Sequence, residues 1–195
     1  MYDVIGTRAS RAFRVLWMLE ELGQDYTHIP AAPRSPEALA ANPSGKIPAL
    51  RDGDAVLTDS AAIMTFLADK HRALTNAPGT VARARQDAFT HQILDDIDGV
   101  LWAAARHSFV LPEEQRVPAV KDSLKWEYAR NIARISDALE GPFLMGEEMT
   151  VPDMLLTHCI GWAKKADFPD AGDKLNAYAA SIMERPAFQK AAALP

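Results

Sequence analysis

Asn42-Pro43-Ser44-Gly45-Lys46-Ile47-Pro48-Ala49-Leu50 is a loop punctuated by proline and glycine that runs straight into a short apolar strand. Pro48 stands at the junction, where no ladder N–H is needed yet and a proline is tolerated. An X-Pro bond in such a place is a site for a cis peptide, used as a turn device. A cis Ile47–Pro48 bond would turn the Ile47 N–H and C=O outward, free to pair with an extended peptide. Downstream, Asp59-Ser60 follows the strand Ala55-Val56-Leu57 and precedes the apolar-periodic run Ile63, Met64, Leu67. That is a helix start, whose unpaired N–H groups suit a carboxylate. Backbone pairing in one loop and anion binding at one helix start together describe a seat for a small, extended, acidic peptide.

Working outward, Tyr2 to Gly6 reads as a strand stopped by glycine and the polar turn Thr7-Arg8-Ala9-Ser10. Ser10 reads as the N-cap of a helix from Arg11 to Leu22, ended by Gly23, with Ala12, Val15, Leu16, Leu19 and Leu22 on its buried face. Tyr26 to Ile29 is a second strand, parallel to the first if the helix is a right-handed crossover. Ser35 to Ala40 suggests a turn or two of helix. Asp52-Gly53-Asp54 is a hairpin signal between strands at Ile47–Leu50 and Ala55–Leu57, and Ser60 to His71 is a third helix. The order βαβαββα is similar to the thioredoxin-like pattern, a mixed sheet with helices on both faces.

The Pro/Gly stretch Thr75-Asn76-Ala77-Pro78-Gly79 marks a linker over 74–80, dividing a first domain at 1–73 from a second at 81–195. No strand pattern follows. Val81 to Arg106 reads as a long helix with a break near Gly99, and Val117 to Leu139 as another with Trp126, Ala129, Ile132, Ala133 and Ser136 facing inward. Thr150-Val151-Pro152-Asp153 is a capping box with proline in the first turn. It opens Met154–Ala166, apolar almost all round and so the expected centre of this domain. Leu175–Arg185 and Ala187–Ala192 close the chain.

At 195 residues, 48% hydrophobic and 24% charged, the chain can bury a good core. A net charge of −5 without a basic run argues against nucleic acid and anionic membranes as partners. Cys159 is the single cysteine, which excludes a disulfide framework and a C-x-x-C redox pair. Tyr2-Asp3 after the first methionine is no secretory signal, and the apolar runs are too short to span a bilayer, so a cytoplasmic protein is expected.

The Gly-Lys-Ile-Pro loop, the Asp59-Ser60 pair and the buried capping-box helix, in this order along the chain, resemble the glutathione transferase family. The resemblance implies a thioredoxin-like glutathione-binding domain followed by an all-helical domain. It implies that glutathione is a co-substrate, with no metal, that the protein is a twofold dimer, and that a hydrophobic electrophile sits in an interdomain cleft. By the same resemblance, Lys46 would bind the glycine carboxylate, and Ile47, through its main chain, and Pro48 would hold the peptide. Asp59 and Ser60 would hold the γ-glutamyl amino and carboxylate groups. The thiol-activating hydroxyl would come from the loop after the first strand: of Ser10, Thr7 and Tyr2 the choice is Ser10, at the expected start of the first helix, with Thr7 or backbone N–H groups alone as alternatives and Arg11 beside it as a source of positive charge. The same serine also reads as a plain N-cap. Trp102 and Phe109 would wall the electrophile site and Arg106 would add a polar contact, against core packing as the bland alternative for the aromatics.

A free thiol with a pKa of about 8.5 is only a few per cent ionised at neutral pH, so a site that lowers this value activates it. The resulting reading is a transferase, with peroxidase, isomerase or dehalogenase chemistry open to the same thiolate. The alternative is a non-catalytic module of the same fold with a vestigial glutathione site. Asp95, Asp96 and Asp98 form a carboxylate cluster in which Asp95 and Asp98 share a helix face. With no histidine at matching spacing, a solvated surface is the better reading than a metal site. Cys159 reads as buried and inert, and His158 as a core or boundary residue rather than a base.

Overall fold

The computed structural model describes all 195 residues, Met1–Pro195. The chain gathers into two compact units, one of Met1–Thr75 with Ile182–Pro195 and the other of Asn76–Ser181.

The first unit carries strands β1 (Tyr2–Ile5), β2 (Tyr26–Ile29), β3 (Ala49–Asp52) and β4 (Ala55–Thr58), and helices α1 (Ala12–Glu21), α2 (Pro36–Ala41) and α3 (Ser60–His71). Its sheet runs β2-β1-β3-β4, with β1 parallel to β2 and antiparallel to β3, and β3 antiparallel to β4. This is the thioredoxin-like arrangement. Val15, Leu16, Trp17, Met18 and Leu19 of α1 and Ile63, Met64 and Leu67 of α3 are fully buried with Val4 and Leu50. The helix-periodic and strand-alternating apolar residues thus fill one core, about 1.5–3 kcal/mol of transfer free energy for each large side chain. Gly53, at φ +59, makes the hairpin turn that Asp52-Gly53-Asp54 announces.

The closing helix α9 (Pro186–Ala192) packs in this unit against α1. Phe188 meets Phe13 and Trp17 edge-on, with ring centroids 5.1 and 5.0 Å apart. Arg185 grips Glu21 with two 2.7 Å hydrogen bonds, and Lys190 reaches Glu20 at 2.7 Å. The division 1–73, 74–80 and 81–195 follows composition along the chain, whereas packing groups Ile182–Pro195 with the first unit. A linker signal reports where a chain is exposed, not where its end returns.

The second unit is helical, with α4 (Val81–Gln92), α5 (Val100–Ala105), α6 (Val120–Ala138), α7 (Val151–Lys165) and most of α8 (Asp173–Met183). Val81 to Val110 is one helical run, but two π-helical stretches, Ile93–Gly99 and Arg106–Val110, replace the expected break near Gly99. The changed i→i+5 phase separates the aspartates: Asp95 is exposed while Asp98 is buried, with the Cys159 thiol 3.8 Å from its Oδ2. They do not share a face. On α6 the buried face is Leu124, Tyr128, Asn131, Ile132 and Ile135, of which the expected set contains only Ile132. Trp126 is 62% exposed under the Arg130 guanidinium, 4.8 Å from the ring centroid, and Ala133 faces out. A large aromatic lying over a neighbouring cation is stable in water, so hydrophobicity alone misplaces the face.

At the start of α7, Asp153 is fully buried. Its carboxylate accepts from the Thr150 N–H at 2.8 Å, the Thr150 hydroxyl at 3.0 Å, the Leu144 N–H at 2.8 Å and the Tyr178 hydroxyl at 2.7 Å. Burial pushes the carboxyl above its ordinary value, against the pull of these donors. Cys159 is fully buried on this helix, and His158 is half-buried beside Trp162. No helix is long and apolar enough to cross a membrane.

Candidate functional site

Sheet register assembles the site. Ile5 pairs with Ala49, and Ala49 with Thr58, so β1 leaves, β3 enters and β4 leaves the sheet on one line. Gly6, Pro48 and Asp59, each one residue beyond that line, therefore stand side by side at one edge. With strands about 4.8 Å apart, β1 to β4 spans about 10 Å, the reach of an extended tripeptide.

The loop after β1 is stitched to the strand beside it: Gly6 N–H donates to Ile29 C=O at 3.0 Å and Thr7 N–H to Ala31 C=O at 2.9 Å. Gly6 sits at φ +146, and a Cβ there would lie 2.8 Å from Ala12 Cβ and 3.2 Å from Ile47 Cβ. Only glycine lets the start of α1 and the Ile47-Pro48 loop close on the same point. The Ser10 hydroxyl donates to the Thr7 carbonyl at 2.6 Å and accepts from the Ala12 N–H at 3.0 Å. It closes the turn ahead of α1, one residue before the helix's own N-cap position at Arg11. Thr7, Ser10 and Arg11 are half-buried. Tyr2, by contrast, lies at the other end of β1, with its hydroxyl 2.9 Å from His71 Nε2. That leaves it outside the set of groups around the loop.

Ile47–Pro48 is cis. Asn42 organises the approach to it: its Oδ1 accepts from the Ser44 N–H and hydroxyl at 3.1 and 2.8 Å, and its Nδ2 donates to the Lys46 C=O at 3.0 Å. Asn42 is a turn residue, and Lys46 is left projecting into solvent. Arg34 joins it. Arg34 holds φ +65, donates its N–H to the Gly45 C=O at 2.8 Å and is exposed. Sequence reasoning missed this second cation because a non-glycine residue at positive φ in a Pro-rich loop carries no pattern of its own.

At β4's exit Asp59 adopts φ +70, and its Oδ1 accepts from the Ala61 and Ala62 N–H groups at 3.0 Å each. Ser60 is buried behind it, with Arg14 Nη1 donating to its hydroxyl oxygen at 3.4 Å. Lys46 and Arg34, whose loops are joined by the Arg34–Gly45 bond, are exposed cations, and Asp59 at the exit of β4 is an exposed carboxylate, on a chain of net negative charge. A groove of about 440 Å³ lined by Glu20, Gly23, Asp25, Pro186 and Lys190 lies at the opposite end of α1, away from this edge.

In the second unit Trp102 is half-buried on α5, and Arg106 and Phe109 stand on the second π-helical stretch, with Phe109 70% exposed. No cluster of His, Cys, Asp and Glu side chains with the geometry of a metal site is present.

A family profile described as "Glutathione S-transferase, N-terminal domain" matches residues 10–70. "Glutathione S-transferase 1" of Zea mays is 28% identical, covering 90% of this chain and 88% of its own. The theta class glutathione S-transferase of Xanthomonas axonopodis pv. citri, solved with glutathione bound, superposes with a TM-score of 0.80 at 27% identity, covering 100% of this chain and 98% of that one. The glutathione transferase URE2P6 of Phanerochaete chrysosporium, in complex with oxidized glutathione, superposes with a TM-score of 0.80 at 26% identity, over 97% and 94% of the two chains. Sheet order, the cis-proline loop and these full-length likenesses agree: the chain is similar to glutathione transferases over its whole length, and residues 10–70 match that family's N-terminal domain.

Proposed function

We propose that the protein binds glutathione along the β1–β3–β4 edge, stabilises its thiolate and transfers it to a hydrophobic electrophilic small molecule. The observation that carries this reading is the register line Ile5–Ala49–Thr58, which aligns three recognition elements over the length of a tripeptide. Lys46, with Arg34 beside it, takes the glycine carboxylate; the main chain at Ile47 and Pro48 pairs with the cysteinyl residue; Asp59 and Ser60 take the γ-glutamyl amino and carboxylate groups. Asp59's positive φ is a cost of order 1–3 kcal/mol, a kind of strain that collects at ligand clamps.

The thiol then lies over the loop Thr7–Arg11. Each unit by which its pKa falls corresponds to about 1.4 kcal/mol of preferential thiolate binding. Ser10 can act on the thiol only by releasing the Thr7 carbonyl. The Thr7 hydroxyl and the loop N–H groups act without that exchange, and Arg11 adds charge. Trp102, Arg106 and Phe109 are the proposed electrophile contacts. A cytoplasmic homodimer completes the proposal, on family likeness.

Ser10's engagement in a turn favours a second reading, a glutathione-binding module without an activated nucleophile. One titration separates them: glutathione is added while thiolate absorbance is followed against pH. A bound thiol pKa at least about one unit below that of free glutathione supports the transferase. Binding with an unshifted pKa supports the module, and no binding overturns both. Ser10→Ala and Thr7→Ala then identify the donor.

A further inference from the structure

Arg14 is fully buried on α1, and Ser60, the hydroxyl it donates to, is 3% exposed. A guanidinium removed from water is costly unless its charge and donors are used. The hydroxyl it reaches is the first residue of α3, immediately behind Asp59. Asp59's carboxylate already takes the N–H groups of Ala61 and Ala62. The Ser60 oxygen accepts from Arg14, so its own proton must point elsewhere. As the first residue of α3, Ser60 also carries one of the N–H groups without an intrahelical acceptor, at the positive end of the helix dipole. A hydroxyl whose oxygen accepts from a cation is polarised into a stronger donor. The charge behind it is shielded from salt by burial, unlike Lys46 or Arg34 at the surface.

We infer that Arg14 is a positioning residue for the carboxylate of the γ-glutamyl end of the peptide. It turns the Ser60 hydroxyl into an outward donor and sets a buried guanidinium behind the carboxylate's partner. Arg14 does not touch the ligand. The inference rests on the glutathione reading above and assigns the selectivity of one end of that site to a residue outside it.

The test compares two ligands: glutathione and 4-aminobutanoyl-cysteinylglycine, which is glutathione without the γ-glutamyl carboxylate. Calorimetric titration of the wild-type chain comes first. If it binds neither ligand, the glutathione reading itself fails, before any variant is made. If it binds glutathione, a preference for it over the analogue of about tenfold or more is expected, as for a hydrogen bond to a charged group. Arg14→Met should then reduce that ratio to about twofold or less by weakening glutathione alone, with Arg14→Lys between them. A purely structural arginine would weaken both ligands alike, and that result, or a ratio unchanged in folded Arg14→Met, overturns the inference. Thermal unfolding of each variant checks folding. Should Arg14→Met not fold, Arg14→Lys carries the test, and a ratio equal to wild type or an equal weakening of both ligands then overturns the inference.

Discussion

Two helix starts of this protein are held by an aspartate, Asp59 as the N-cap of α3 and Asp153 in the first turn of α7, and they are built for opposite ends. At α7, Asp153 is sealed from solvent with every donor around it turned inward: two N–H groups and two hydroxyls. At α3, Asp59 is exposed, sits on a backbone angle few residues adopt, and caps only two N–H groups. The closed start has no capacity left for a ligand. The open one leaves a hydroxyl and an N–H beside it, backed by a buried cation. Asp-capped helix starts become sites or foundations according to what surrounds them.

Asp153→Ala probes the closed start most severely. It strands four donors in the core of the second unit, and a loss of about 3 kcal/mol or more is expected by urea unfolding. Glutathione affinity of the molecules that remain folded should not change. A glutathione effect as large as the stability effect would erase the contrast between the two starts.

The open start should behave in reverse. Asp59→Ala removes an exposed cap, about 1 kcal/mol of stability, and should weaken glutathione about tenfold through the lost partner of the γ-glutamyl ammonium. Asp59→Asn keeps the cap and tolerates the backbone angle, so its stability should stay within about 0.5 kcal/mol of wild type while most of the affinity loss persists.

A pH series sharpens the same comparison. Burial raises the Asp153 carboxyl above its ordinary 3.8, so folding favours its protonated form. Its contribution is full below the unfolded value and is lost as pH rises through the raised one. The loss amounts to about 1.4 kcal/mol for each pH unit that separates the unfolded and folded values. The stability advantage of wild type over Asp153→Asn should therefore shrink as pH climbs from about 4 through that window.

The smallest effect belongs to the surface cations. Lys46→Ala should weaken glutathione by only about threefold at physiological salt, more at low salt, and adding Arg34→Ala should roughly double that factor. Isothermal titration at two salt concentrations measures both.

Much of the first unit is legible in the sequence. The βαβαββα order, the hairpin at Gly53 and the helix start at Asp59 all follow from short-range rules on periodicity, proline, glycine and capping, which act within a few residues. The inward face of α6 is not legible. Trp126 and Tyr128 are both large aromatics two positions apart, and only the neighbouring elements decide that Tyr128 is the buried one. The π-helical stretches are likewise invisible to a 3.6-residue period, which is why a regular helix would put Asp95 and Asp98 on one face.

For the candidate site the division is the same. Lys46, Ile47, Pro48, Asp59 and Ser60 announce themselves in sequence because their chemistry is local: a junction proline, a capping pair, a lysine in a turn. Arg14, Arg34 and the inward turn of the Ser10 hydroxyl belong to tertiary structure. A buried guanidinium within an apolar helix face reads as an interruption until the residue it reaches, far along the chain, is known. Local rules specify which backbone shapes each stretch can take. Which side chains meet depends on sheet register and on where the chain's end returns to pack, both sums over distant contacts that no window of sequence contains.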